Sequence, residues 1–203
     1  MMHARRMIRS HVRTASVAWL AALVCTLLPF ALTSSPAQAG EAPAHYMQKV
    51  AKQLMAAARS SSQGAFAMAV RSHSDYHSIG LYSLGSYARG LPSSERQSYF
   101  TGMINFIAKY AATNAPKYPV ASAVVTGQTE ETKSGVHVDT KVTLTDGTSY
   151  DVRWLLVRRG STWKVRDAQV LGFWMSPFLK NLFENYISEN GGNPRALVVA
   201  LNR

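Results

Sequence analysis

The run GVHVDTKVTLTDGTSYDVRWLLVRRGSTWKVRDAQVL, residues 135–171, decides the fold. Apolar and polar side chains alternate along it with a period of two. Val136, Val138, Val142 and Leu144 interleave with His137, Asp139, Lys141 and Thr143, the pattern of a strand with one buried and one wet face. Tyr150, Val152, Trp154 and Leu156 share a face further on, as do Trp163 and Val165. Asp146-Gly147 and Arg159-Gly160 read as hairpin turns, because glycine and aspartate tolerate the positive φ of a tight reversal. With the apolar stretch upstream, the spacing predicts strands at 120–128, 135–145, 149–159 and 162–171. Consecutive strands joined by short loops pair antiparallel.

Upstream and downstream of this run the period becomes helical. Residues 44–59 place Tyr46, Met47, Val50, Leu54 and Met55 on one face, and Ser60-Ser61-Ser62 with Gly64 ends the pattern. Residues 65–71, with Phe66, Met68 and Val70, form a short second helix. A third, capped by Asp75, runs through Ile79, Leu81 and Leu84 to about Gly85. Pro92-Ser93-Ser94-Glu95-Arg96-Gln97 is a helix start in which Ser94 and Gln97 make a capping box. That helix carries Phe100, Met103, Ile104, Ile107 and Tyr110 and stops at Asn114 and Pro116. After the strands, Ser176-Pro177 opens a helix ending at Gly191-Gly192, and Asn193-Pro194 opens a last short one. The layout is α+β: a curved antiparallel sheet of four or slightly more strands, packed against a bundle of helices and enclosing an apolar cavity.

The first 39 residues read as a cleaved export signal. Arg5, Arg6, Arg9 and Arg13 precede an apolar run, and Ala37-Gln38-Ala39 is a small-residue cleavage site. The mature chain is expected to begin at Gly40, to hold a single domain at 40–203 and to reside in the periplasm. Cleavage removes the lone cysteine, Cys25, which excludes disulfides, thiolate metal sites and cysteine nucleophiles. It also removes four of the twenty-two basic side chains. Eighteen then face eleven acids, a formal charge of +7. That charge favours anionic surfaces such as phospholipid headgroups. Nucleic acid is not an expected partner, since the basic residues are scattered and export separates the protein from it.

No catalytic constellation stands out. His73, Asp75 and His77 have a spacing that metals can use, but Asp75 reads better as a helix cap, so no metal or other cofactor is expected. Phosphate-binding glycine loops and nucleophile elbows are absent from the sequence. Asp167, on the fourth strand, is the acid of most interest. In an apolar pocket it could serve as a general base like that of ketosteroid isomerase, or it could fix a backbone turn. The surplus is in soft apolar bulk: Met47, Met55, Met68 and Met103 are expected on core faces beside five phenylalanines.

Several motifs, in this order, resemble the MlaC-type periplasmic phospholipid carriers, also called the toluene-tolerance family. Leu84-Gly85 resembles the family's helix end, and Ser94-Glu95-Arg96-Gln97 followed by Phe100 its next helix start. Trp163-Lys164-Val165-Arg166-Asp167, with Gly172 beyond, is similar to its W-K-V-x-D strand. Leu182-Phe183, Gly191, Leu197 and Leu201 match its closing helices. Ala88 replaces a common tryptophan, Glu95 a glutamine, and Phe173-Trp174-Met175 a smaller segment. A branch encoded with hopanoid-synthesis genes has the same pattern, and the two branches stay open here.

The resemblance implies a non-enzymatic carrier whose cavity holds lipid tails. It further implies transfer between an outer-membrane lipoprotein complex and an inner-membrane ABC transporter complex. The side chains expected to line the cavity are read from the apolar faces, not transferred from the family. On the helices they are Phe66, Met68, Leu84, Phe100, Met103, Ile107 and Phe178; on the strands and their exit, Val152, Trp154, Trp163, Val165 and Phe173. Arg89, Arg96 and Lys180 are candidates for a headgroup or docking partner. An enzyme of the ketosteroid-isomerase-like cone fold acting on a hydrophobic substrate, and an adaptor with a filled core, are the alternatives.

Overall fold

The computed structural model describes residues 41–203. The expected export signal and its expected cleavage site lie outside the described residues. Helix α1 spans Pro43–Arg59, α2 Gln63–His73 and α3 Tyr76–Ser83. Two short 3-10 turns, Gly85–Arg89 and Ser93–Glu95, lead into α4, Arg96–Asn114. The strands follow as β1 Val120–Thr132, β2 Gly135–Leu144, β3 Ser149–Arg159, β4 Thr162–Val170 and β5 Phe173–Trp174. Helices α5, Met175–Glu189, and α6, Pro194–Leu201, close the chain.

The strands form one open antiparallel meander in the order β1-β2-β3-β4-β5. Val138 faces Trp154, and Trp154 faces Ala168, so the alternation read from the sequence puts these side chains on a single face. Helix α1 covers one end of that face. Tyr46, Met47 and Val50 pack there on Val136, Val138, Leu156, Trp163 and Val165. Buried Thr140 also lies on the face, and its hydroxyl accepts a hydrogen bond from Trp154 Nε1 at 3.1 Å. A second core joins α3, α4, α5 and α6 through Leu84, Tyr99, Phe100, Met103, Phe183 and Leu197. Ala57, Phe66, Ala108 and Ala112 form a third, where small side chains let α1, α2 and α4 approach.

Local chemistry departs from the sequence reading at three places. The expected capping box at Ser94 and Gln97 does not form. A 3-10 turn occupies that position, and α4 starts at Arg96 with no side-chain cap. Asp75 precedes α3 but does not cap it, because its carboxylate is taken by Arg159. Ser176 does not cap α5 either. It lies inside that helix, and its N–H donates to Asp167 Oδ1 at 2.9 Å. The fifth strand, within the four or slightly more expected, is two residues long, too short for its own alternation to show.

Candidate functional site

Between the helices and β4 the structure holds an apolar pocket of about 480 Å³, open to solvent on one side. The floor is Met103 from α4, Val165 from β4 and Leu179 from α5, all buried. Val70 from α2, Ile79 from α3, and Phe106 and Ile107 from α4 build the walls. Tyr110, Phe178 and Leu182 form an exposed rim. Met103, Phe106, Ile107 and Tyr110 meet there because they fall three and four residues apart on one helix face. Leu179 and Leu182 do the same on α5.

A second hollow, of about 450 Å³, lies further along the same sheet face. Val142 and Tyr150 face each other across β2 and β3, and Val152 faces Val170 across β3 and β4. These four, with Leu144 and Tyr118, line it. The Trp154–Ala168 pair is the next same-face rung, and Ala168 already belongs to the first pocket. The two hollows are therefore neighbours on one continuous apolar surface.

The twelve side chains anticipated from sequence distribute unevenly. Met103, Ile107, Val165 and Phe178 line the first pocket, and Val152 lines the second. Phe66, Leu84 and Phe100 are buried in helix–helix cores and line neither hollow. Trp154 and Trp163 sit in the α1–sheet core. Trp163 donates from its Nε1 to the Glu41 carbonyl, and the Arg158 guanidinium lies 4.2 Å from its ring centre. Met68 is 69% exposed and Phe173 72% exposed, outside both linings. The core face expected for Met68 is thus a correction. Helix α2 is apolar nearly all round, and the smaller Ala69 takes the inward position where α2 packs closely.

Polar groups at the first pocket are few. Asp167 Oδ1 accepts the N–H of Ser176 and that of its own neighbour Ala168, at 2.9 and 2.8 Å. Its carboxylate therefore fixes the β4 exit to the start of α5. Asp75, buried beside the wall, receives Arg159 through Nε at 3.1 Å and Nη2 at 2.6 Å. Burial pushes its pKa up. The hydrogen bonds from Arg159 and Ser78 and the nearby guanidinium charges outweigh that and hold it below the usual carboxylate range.

The histidines of the sequence motif go separate ways. His73 Nδ1 lies 3.1 Å from the Tyr46 hydroxyl, which also donates to the His73 carbonyl at 3.2 Å, and Nε2 lies 2.9 Å from Gln53 Oε1, whereas His77 packs against Tyr76 and Phe100. Burial, then the charges of Lys164 and Lys49, lowers the His73 pKa. Burial pushes the Tyr46 phenol up to about 12.

Fold and pocket together define an α+β domain with an apolar binding hollow between its helices and one face of its sheet. The chain belongs to the MlaC family: the family model for MlaC protein matches residues 43–203. Among solved structures it is similar to the phospholipid-binding protein from Ralstonia solanacearum, determined in complex with a phospholipid. The TM-score is 0.58 at 18% identity, covering 77% of this chain and 92% of the other. At that identity the likeness is one of fold. No curated protein matches the chain. Among the described residues, no helix is long and apolar enough to cross a membrane.

Proposed function

We propose that this protein binds a phospholipid by its acyl chains and carries it through the periplasm as the soluble component of an ABC transport system. The observation that carries the reading is the pocket between α4, α5 and β4, about 480 Å³ and walled by hydrocarbon side chains. Small-molecule sites span about 300–1,000 Å³. The adjacent hollow on the same sheet face gives a second chain room. Two chains of about sixteen carbons expose about thirty methylenes, and at about 0.8 kcal/mol each some 24 kcal/mol opposes their passage through water. A carrier lowers that barrier by replacing water with apolar walls, and it needs no catalytic group to do so. The use of Asp167 as a helix cap favours binding over general-base chemistry.

Membership of the MlaC family and the fold shared with a phospholipid-binding protein support the lipid class. An outer-membrane lipoprotein complex and an inner-membrane ABC transporter complex are the proposed donor and acceptor, in either order. Native mass spectrometry of protein purified gently from periplasm tests the reading. Bound masses matching phospholipid are expected, whereas a single empty mass contradicts it.

A further inference from the structure

The connection from β4 to β5 has a conformation and a surface that packing does not explain. Val170 pairs with Phe173, so Leu171 and Gly172 alone make the turn, with φ of +51° and +84°. Positive φ at both central residues is the type I′ form, which Asn-Gly adopts most readily; a leucine there is strained. Gln169 Nε2 steadies the turn by donating to the Gly172 carbonyl at 3.1 Å. The turn holds apolar side chains in water. Leu171 is 65% exposed and Phe173 72%, with Met175 and Phe178 exposed beyond them. Trp174 lies against the His137 ring, 5.8 Å between centres, and ties this short strand to the sheet. Residues 168–179 carry no charged side chain.

The turn stands between the two hollows, since Leu171 lines the second and Met175 and Phe178 line the first. Exposed Tyr118 and Tyr110 extend the two rims, and each follows a lysine, Lys117 and Lys109. No acid occurs within residues 96–129. At this end of the sheet Asp146 accepts the Thr148 N–H inside the β2–β3 turn, and Asp151 faces Lys141 across β2 and β3. Of the cations anticipated for docking, Lys180 is paired with Glu184, and neither Arg89 nor Arg96 lines a hollow. Protruding apolar side chains with tyrosines and lysines beside them match a bilayer surface, where hydrocarbon gives way to headgroups and anionic phosphate. A lipid chain leaving either hollow passes this rim, and contact with a bilayer there spares it the crossing of water.

We propose that the segment 171–178 inserts into the surface of an anionic lipid bilayer and sets the mouths of both hollows against it. The choice of a lipid surface rests on the carrier reading, and the test separates the two. Protein purified from periplasm is sedimented with vesicles of phosphatidylcholine and phosphatidylglycerol in equal parts, and its bound lipid is read separately by native mass spectrometry. Wild type is expected to sediment with these vesicles, and less with phosphatidylcholine alone. Phe173→Ser, outside both linings, should weaken sedimentation about tenfold, the scale of one aromatic ring partly withdrawn from water, and leave bound lipid unchanged. Leu171→Asn, which suits the positive φ, should weaken sedimentation while raising the melting temperature. Wild type that stays in solution overturns the proposal. Binding that salt abolishes and Phe173→Ser does not alter is charge adsorption alone, which also overturns it. Vesicle binding that depends on Phe173, by protein that carries no lipid, overturns the carrier reading and leaves the insertion standing.

Discussion

Asp167 decides between two chemistries by what its oxygen already holds. A helix N-terminus leaves backbone N–H groups without partners, and α5 receives its cap from a strand residue nine positions earlier. Asp167→Ala should cost about 1 kcal/mol in urea unfolding, the usual worth of a cap. Asp167→Asn keeps an acceptor oxygen and should retain both stability and bound lipid; loss of lipid with the fold intact would restore the general-base reading. His73 is the second informative residue. Its pKa is lowered in the fold, so the unfolded chain binds its proton first as pH falls. Stability is complete above about 6.5, the ordinary histidine value, and is lost as pH drops from there through the folded value. The lowered carboxyls of Asp75, Asp139 and Glu184 add losses of the same sign at lower pH. Melting temperatures from pH 7.5 down to 5.5 should decline, and His73→Gln should flatten that decline. An unchanged slope in the variant would remove His73 as the cause.

Among the elements, close approach is set by glycine where α4 meets its neighbours. A Cβ on Gly102 would stand 2.7 Å from Leu201 Cβ, and one on Gly80 would stand 2.8 Å from the Phe100 ring. Gly102→Ala therefore forces α6 away from α4 and should cost about 1–3 kcal/mol, measured by thermal or urea unfolding. The strands were legible because alternation is a long-range average: β3 begins and ends where its pattern does, at Ser149 and Arg159. Caps were less legible: Ser94, Ser176 and Asp75 each have the right chemistry, but a 3-10 turn displaces the first, Asp167 replaces the second and Arg159 engages the third. The pocket was partly legible. Met103 and Ile107 announce a helix face, but Phe106 and Tyr110 on the same face were not singled out as lining. Phe66, Leu84 and Phe100 look identical to pocket residues in sequence and are spent instead on helix packing. Nothing in an apolar pattern says whether a face meets another side chain or a space.

At the scale of the molecule, an open five-stranded sheet leaves part of one apolar face uncovered by α1, and that uncovered part is where the hollows lie. Stability and binding therefore draw on different stretches of one surface. Ile107→Trp should fill the first pocket and reduce bound lipid while leaving the α1–sheet core intact, a separation read by comparing lipid extraction with melting temperature. Equal lipid content in variant and wild type would place the cargo elsewhere. The most direct test is a phospholipid with a photoreactive group near the end of one acyl chain, loaded and irradiated, with the labelled residues located by peptide mass spectrometry. Adducts should fall on Met103, Ile107, Leu179 and their neighbours on α4, α5 and β4, or on the Val142–Val170 hollow. Adducts confined to the outer sheet face, or none in protein shown to carry the lipid, would contradict the account.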